Sequence, residues 1–210
     1  ALAGKGANVI LASRRTELLR AKADELYGRF GIQTYAVAMD LTSKPSIDKA
    51  MDEVWSRFPA VDILVNNSGV GVDAPAVELR EEDFDRVLDT NLKGAFLLTQ
   101  AVLPRMIARR SGHILNISSQ AGKHGYARAT AYCASKYGVL GFAHALQEEV
   151  RQHNIKVTNL LPGLVQVPPS HTPAETRGNV LQVEDLASAA VYVLQQPERV
   201  QIEDIGLFHL

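Results

Sequence analysis

The chain has 210 residues, 46% of them hydrophobic and 21% charged, with a formal net charge of −1 and a pI near 6.7. Those values suit one globular domain with a full core, and the near-neutral charge offers nothing to a nucleic acid or an anionic membrane surface. The single cysteine, Cys133, excludes an internal disulfide framework and suits a reducing, cytoplasmic setting. The histidines show no metal-ligand spacing, and no apolar run reaches the ~18 residues of a membrane span.

In chain order, Ala1–Lys5 reads as a helix tail stopped by Gly6, followed by an apolar strand, Asn8–Ser13, of the kind buried on both faces of a parallel sheet. Thr16 is a candidate cap for a helix from Glu17 to about Arg29. A second strand, Gln33–Met39, ends at Asp40-Leu41, and a helix follows from Pro45 to Phe58. The third strand, Val61–Val65, runs into Asn66-Asn67-Ser68-Gly69 and then a mobile linker, Val70–Leu79. The longest helical stretch, Glu81 to about Arg110, contains Pro104, which is expected to kink or divide it. The fourth strand is His113–Ser118, the next helix ends near His153, and the fifth strand, Lys156–Leu161, stops at Pro162-Gly163. A polar loop over Val167–Asn179 precedes a last helix (Val183 to Gln195) and a last strand (Val200–Phe208).

This alternation predicts right-handed βαβ crossovers and a Rossmann-like, doubly wound parallel α/β sheet, whose ligands bind beyond the carboxyl ends of the strands. Arg14, Asp40, Asn66–Gly69, Ser118-Ser119 and Pro162-Gly163 all fall at those ends. Tyr132 and Lys136 lie four apart on a predicted helix and so share a face. An ammonium there favours the phenolate and is expected to lower the phenol pKa from about 10, so that the phenol exchanges a proton with a carbonyl oxygen near neutral pH. Ser119 is placed to give the same oxygen a second hydrogen bond.

Asp40-Leu41, the Asn66–Gly69 turn, Asn91 within DTNLKG, Ser119 thirteen residues before Tyr132, Tyr132-x-x-x-Lys136 and Pro162-Gly163 occur in one order along the chain. In this the chain resembles the short-chain dehydrogenase/reductase family over essentially its whole length. The resemblance implies that Tyr132 donates and accepts the proton, that Lys136 lowers its pKa and holds the nicotinamide ribose, and that Ser119 orients the carbonyl. It implies that Asn91 holds a water in a proton relay. Asp40 and Leu41 would meet the adenine, Asn67, Ser68 and Gly69 the adenine ribose, and Pro162, Gly163 and Val165 the nicotinamide. Asp40 reads equally as a helix cap, and Asn67–Gly69 as a tight turn.

Where an NAD site usually offers a carboxylate to the ribose 2′-OH, this chain has Ser13 followed by Arg14 and Arg15. A hydroxyl and guanidinium groups suit a 2′-phosphate, which predicts NADP(H) as cofactor. The expected activity is reduction of a small ketone, with a 3-oxoacyl thioester of acyl-carrier protein favoured. The alternatives are a hydroxy-acid or alcohol dehydrogenase of the same family, or a catalytically idle member serving as a scaffold. The resemblance implies a homodimer or homotetramer formed through the two long helices.

The chain departs from the family pattern in three places. The T-G-x-x-x-G-x-G turn and its strand do not appear, so residues 1–210 read as one dinucleotide-binding and catalytic domain lacking roughly 20 N-terminal residues. The missing strand is expected between the Asn8–Ser13 and Val61–Val65 strands, and this piece alone is expected to hold cofactor weakly. Val167 stands where many members have Thr, and the ending VQIEDIGLFHL matches the shorter branch of the family. His171, Glu175 and Arg177 in the polar loop, and Tyr126 and Arg128 before the Tyr132 helix, are candidate substrate contacts.

Overall fold

The apolar runs become strands, and every strand pairing is parallel. The computed structural model describes residues 1–167 and 180–209. Its first half comprises β1 (Val9–Ser13), α1 (Thr16–Phe30), β2 (Thr34–Ala38), α2 (Lys44–Trp55), β3 (Ile63–Asn66), α3 (Glu81–Leu88) and α4 (Gly94–Arg109). Its second half comprises β4 (Gly112–Ile117), α5 (Thr130–Val150), β5 (Ile155–Pro162), β6 (Val165–Gln166), β7 (Leu181–Gln182), α6 (Val183–Leu194) and β8 (Asp204–Leu207). The short pair β6–β7 is an addition to the sequence reading, and most of the polar loop lies outside the described residues.

The element ends follow local chemistry. Gly6, at φ 83°, closes a 3₁₀ turn over Ala3–Lys5, and Gly31, at φ 65°, closes α1 with its N–H on the Tyr27 carbonyl. Ser43 caps α2 through its hydroxyl, which accepts from the Ser46 N–H, with Pro45 in the first turn. The expected Thr16 cap is not formed: Thr16 is already helical, preceded by Arg15. The long helical stretch does divide, but not at Pro104, which lies inside α4. The break is a π-helical segment over Asp89–Lys93. It brings Asn91 inward, and Gly94 meets the end of β2 so closely that a Cβ there would sit 2.9 Å from Leu41 Cβ.

The strands form a four-stranded sheet in the order β3-β4-β5-β8 and two-stranded sheets β1-β2 and β6-β7. A strand between β1 and β3 is not among the described elements, and those two strands are not hydrogen-bonded to each other. Burial follows this interruption. β4 and β5 have neighbours on both sides and are buried almost throughout, whereas β1 is only partly buried and Val65 on β3 is 37% exposed. The full two-face burial expected of β1 is therefore not found among the described residues, where β2 is its one strand neighbour.

Period-two alternation divides the core between two faces. Ile114 and Val157 join Val37, Ile47, Val54, Leu64, Val102 and Leu146 under α2, α4 and α5, and this cluster ties β1–β2 to the larger sheet. Leu115 and Leu160 point the other way and pack with Val193 of α6. Polar groups inside the sheet are all paired. The His113 ring donates from Nε2 to Thr158 Oγ1 at 2.9 Å, since that hydroxyl gives its own proton to the Ile202 carbonyl at 2.6 Å. Burial drives the His113 pKa down to about 4, so its ring is neutral at physiological pH.

One row of side chains crosses the whole four-stranded sheet. Asn66, Asn116, Asn159 and Asp204 are register partners on successive strands. Asn66 Nδ2 donates to Asn116 Oδ1 (2.9 Å), Asn116 Nδ2 to Asn159 Oδ1 (3.0 Å), and Asn159 Nδ2 to Asp204 Oδ1 (2.9 Å).

Candidate active site

The floor of the site is the carboxyl end of the larger sheet. β4 ends at Ile117, and the Ser118 N–H is fixed to the Leu160 carbonyl at 2.8 Å. Ser119, extended at φ −171°, then turns the chain into a 3₁₀ turn over Gln120–Gly122, its Oγ accepting from the Ala121 N–H at 3.1 Å. Gln120 is buried and donates from Nε2 to the Leu161 carbonyl at 2.7 Å, which clamps the turn onto β5. A Cβ at Gly122 would meet Leu140 Cδ1 at 2.9 Å, the Lys136 carbonyl at 3.0 Å and Ser118 Oγ at 3.1 Å, so only glycine lets the turn lie against α5.

Tyr132 stands in the first turn of α5, half-buried, with its phenol oxygen accepting from the Ser119 side chain. Lys136, one turn further, is 5% exposed and donates from Nζ to the Ile117 carbonyl at 2.8 Å. Its Nζ lies 5.6 Å from the Tyr132 ring centroid. Ser119, Tyr132 and Lys136 are thus brought together, but their electrostatics differ from the sequence expectation. Burial raises the Tyr132 pKa, against a smaller lowering by Ser119, and the lysine charge does not pull it below 10. The ammonium is directed at a backbone carbonyl and the ring rather than at the phenol oxygen. Burial also draws the Lys136 pKa down to about 8.

Asn91, 3% exposed, turns its side chain to the loop after β3. Its Oδ1 accepts from the Val70 N–H (2.8 Å), and its Nδ2 donates to the Val70 carbonyl and to Ser135 Oγ (both 2.9 Å). A Cβ on Gly69 would lie 3.6 Å from both Asn91 Oδ1 and Lys136 Nζ, so these two groups flank the Asn67–Gly69 turn. The segment after that turn meets the loop before α5 at two points: Ala74 N–H donates to the Arg128 carbonyl, and the Arg128 guanidinium pairs with Asp73 at 2.8 Å. Arg128, offered above as a substrate contact, is engaged in that pair. Tyr126 is 52% exposed, and His171, Glu175 and Arg177 lie outside the described residues.

The groups assigned to a dinucleotide line the same carboxyl edge. At β1, Ser13 Oγ accepts from the Arg15 N–H, while Arg14 and Arg15 are exposed and, among the described residues, in no ion pair. At β2, Asp40 Oδ1 accepts from the Thr42 N–H (3.0 Å) and hydroxyl (2.8 Å), with Leu41 packed at Gly94. Those hydrogen bonds lower the Asp40 pKa, helped by the nearby Arg14 charge. Asp40 does not cap the next helix, as its other reading had it: Ser43 takes that place, and Asp40 instead closes a turn onto Thr42. Asn67, Ser68 and Gly69 are exposed at the end of β3. At β5, Pro162 is buried, the Gly163 N–H is tied to the Leu207 carbonyl at 2.9 Å, and Val165 pairs with Leu181. Two unpaired guanidinium groups beside a hydroxyl fit a phosphorylated ribose, and a partly filled Asp40 carboxylate fits a neutral amine donor. No group of ≥ 3 metal-ligating side chains occurs among the described residues.

The model of the short chain dehydrogenase family matches residues 1–177. A 3-oxoacyl-[acyl-carrier-protein] reductase of Aquifex aeolicus is 36% identical over 165 residues, 79% of this chain and 66% of that protein. A sepiapterin reductase of Chlorobaculum tepidum is 34% identical over 178 residues, 84% of this chain and 73% of that one. A solved metagenomic short-chain oxidoreductase in complex with NADP superposes with a TM-score of 0.85 at 33% identity, covering 98% of this chain and 87% of its own. The chain belongs to the short-chain dehydrogenase family, a family of NAD(P)-dependent oxidoreductases.

Proposed function

We propose that the protein is a cytoplasmic, NADPH-dependent carbonyl reductase, with a 3-oxoacyl thioester as the favoured substrate class. The observation that carries this reading is the half-buried Tyr132 phenol beside Ser119: burial raises the phenol pKa and so keeps it protonated at neutral pH. A protonated phenol is a proton donor, the role that carbonyl reduction needs and alcohol oxidation does not. When bound, the reduced nicotinamide supplies the hydride. The Ser119 hydroxyl and the Tyr132 phenol bind the carbonyl oxygen, and the proton passes from Tyr132 Oη to that oxygen as its charge grows. Lys136, cationic below about pH 8 and anchored on Ile117, holds positive charge beneath the phenol as it loses its proton. Asn91 fastens the Asn67–Gly69 turn in place through Val70.

Ser13, Arg14 and Arg15 hold the 2′-phosphate in this reading. The metagenomic neighbour's complex with NADP supports that choice, and likeness to the Aquifex 3-oxoacyl-[acyl-carrier-protein] reductase supports the substrate class. NADPH oxidation against a panel of ketones is expected to show turnover, with kcat/KM for NADPH about 100-fold above NADH, a gap of ~2–3 kcal/mol for a charge-assisted phosphate contact. A preference for NADH, or no turnover with any ketone, overturns the reading.

Assembly as a homodimer or homotetramer belongs to the same proposal. α4 and α5 present an apolar groove lined by Phe96, Leu103, Ile107, Phe142 and Leu146, in which the Phe96 and Phe142 rings meet edge to face at 6.1 Å. Phe96 is 42% exposed, a large apolar group left for a second copy to cover. Sedimentation equilibrium is expected to report a dimer or tetramer; a monomer at micromolar concentration rejects it. Among the described residues, no helix is long and apolar enough to cross a membrane.

A further inference from the structure

The parts of the proposed site hang just beyond one row of side chains. Asn66 immediately precedes the Asn67–Gly69 turn, Asn116 immediately precedes Ile117, whose carbonyl holds Lys136, and Asn159 lies three residues before Pro162. The row ends on Asp204 of β8, and that carboxylate reaches further than the sheet. Its Oδ1 accepts from Asn159 Nδ2 at 2.9 Å and faces His144 Nε2 of α5 at 3.1 Å. Its Oδ2 meets Lys123 Nζ at 2.8 Å. Lys123 directly follows the Gln120–Gly122 turn that fixes Ser119. One side chain therefore touches β5, the helix that carries Tyr132 and Lys136, and the loop that carries Ser119.

The geometry points to Asp204 as a positioning residue that acts through Lys123 to hold the Ser119 turn against the sheet, an inference that rests on the carbonyl-reductase reading above. A second side chain of the turn, Gln120, is anchored to the sheet on the Leu161 carbonyl. Gln120 fixes the start of the turn and Lys123 its exit, so the loss of Lys123 loosens the exit and with it the set of the turn that begins at Ser119. The Asp204 carboxyl is 18% exposed, against 48% for the Lys123 side chain, so the acceptor is preorganised by the sheet and the lysine is drawn to it. Burial raises the Asp204 pKa, but the hydrogen bonds from Lys123, Asn159 and His144 outweigh it and hold the group below the ordinary carboxylate range. The tether is therefore charged throughout the neutral range.

Asp204→Asn separates the tether from the amide row. The new amide keeps an oxygen for Asn159 but turns an N–H₂ group toward the Lys123 ammonium, which removes the ion pair. Amide hydrogen exchange over Ala121–His124 is expected to quicken roughly tenfold, with β4 and β5 unchanged. Lys123→Met, on an exposed side chain with little bearing on folding, is expected to give the same result. Unchanged loop exchange in both variants overturns the proposal whatever the activity does. For ketone reduction, kcat is expected to fall about tenfold with KM for NADPH within about twofold, the signature of a misplaced group rather than lost binding. In a Ser119→Ala background, Asp204→Asn is expected to cause no further loss of kcat. A full tenfold further loss there shows that Asp204 acts through something other than Ser119, and overturns the proposal. If the parent protein reduces no ketone, the functional reading fails and the exchange measurement alone decides the tether.

Discussion

Tyr132→Phe is expected to lower kcat for ketone reduction by about 10³-fold, within the range that general-acid catalysis by one side chain supplies. The expectation is sharp because the substitution removes one atom and little else. The ring packs beside Gly71, where a Cβ would meet Tyr132 Cδ2 at 3.6 Å, and phenylalanine keeps that contact. The phenol oxygen interacts with Ser119, whose hydroxyl remains tied to the Ala121 N–H after the change. Lys136 stays on the Ile117 carbonyl, since that hydrogen bond does not involve the phenol. The NADPH dissociation constant is therefore expected to change by less than about twofold, and thermal stability hardly at all. Stopped-flow measurement of the chemical step, with fluorescence titration of NADPH, reads both quantities. Retained turnover assigns the proton to another group and sinks the role given to Tyr132.

Gly122→Ala is expected to have the second largest effect, and through a different physical route. A methyl group at that position has nowhere to go: the nearest atoms, at 2.9–3.1 Å, include the Lys136 backbone carbonyl, which cannot rotate away. The turn must lift from α5, overpacking that costs about 1–3 kcal/mol of stability. Lifting it moves Ser119 relative to Tyr132 and pulls on the Gln120 clamp. A displacement of that size costs about 100-fold in kcat. Denaturant unfolding and ketone-reduction kinetics measure the two losses side by side. Native stability together with native kcat would show that the turn has slack which its contacts deny.

The elements and their order were legible in the sequence because their signals are local: apolar runs for the buried strands, 3.6-residue periodicity for the helices, and Gly6 as the stop of the first turn. The Ser119, Tyr132 and Lys136 set was legible because its spacing lies within one strand–turn–helix unit. What the sequence hid depends on burial or on partners far along the chain. Proximity of a lysine predicts a lowered tyrosine pKa, but the direction of the Lys136 ammonium and the burial of the phenol reverse it, and neither is written in a four-residue spacing. Pro104 looks like the helix breaker, yet the break falls at Asp89–Lys93, where Asn91 is drawn to Val70 and Gly94 to Leu41. Gly122 gives no local sign of its constraint, because its need for glycine comes from α5. Asp204 gave no local signal, because its partners Lys123, His144 and Asn159 become neighbours only once β8 is in register.

The asparagine row has a kinetic meaning as well as a structural one. Its links join residues 50, 43 and 45 positions apart, so no part of it can be rehearsed by a short stretch of chain. With all pairings among the described residues parallel, none of them forms a hairpin to seed the sheet, and each strand must wait for a helical crossover to return it. A sheet that closed one residue out of register would still find apolar neighbours for many of its side chains. It would also strand the row's amides in that apolar interior, at about 1–3 kcal/mol for each unmade partner. The row thus discriminates against near-miss sheets during folding: slipped arrangements carry a penalty that accumulates from strand to strand, and only the arrangement that aligns all four side chains escapes it.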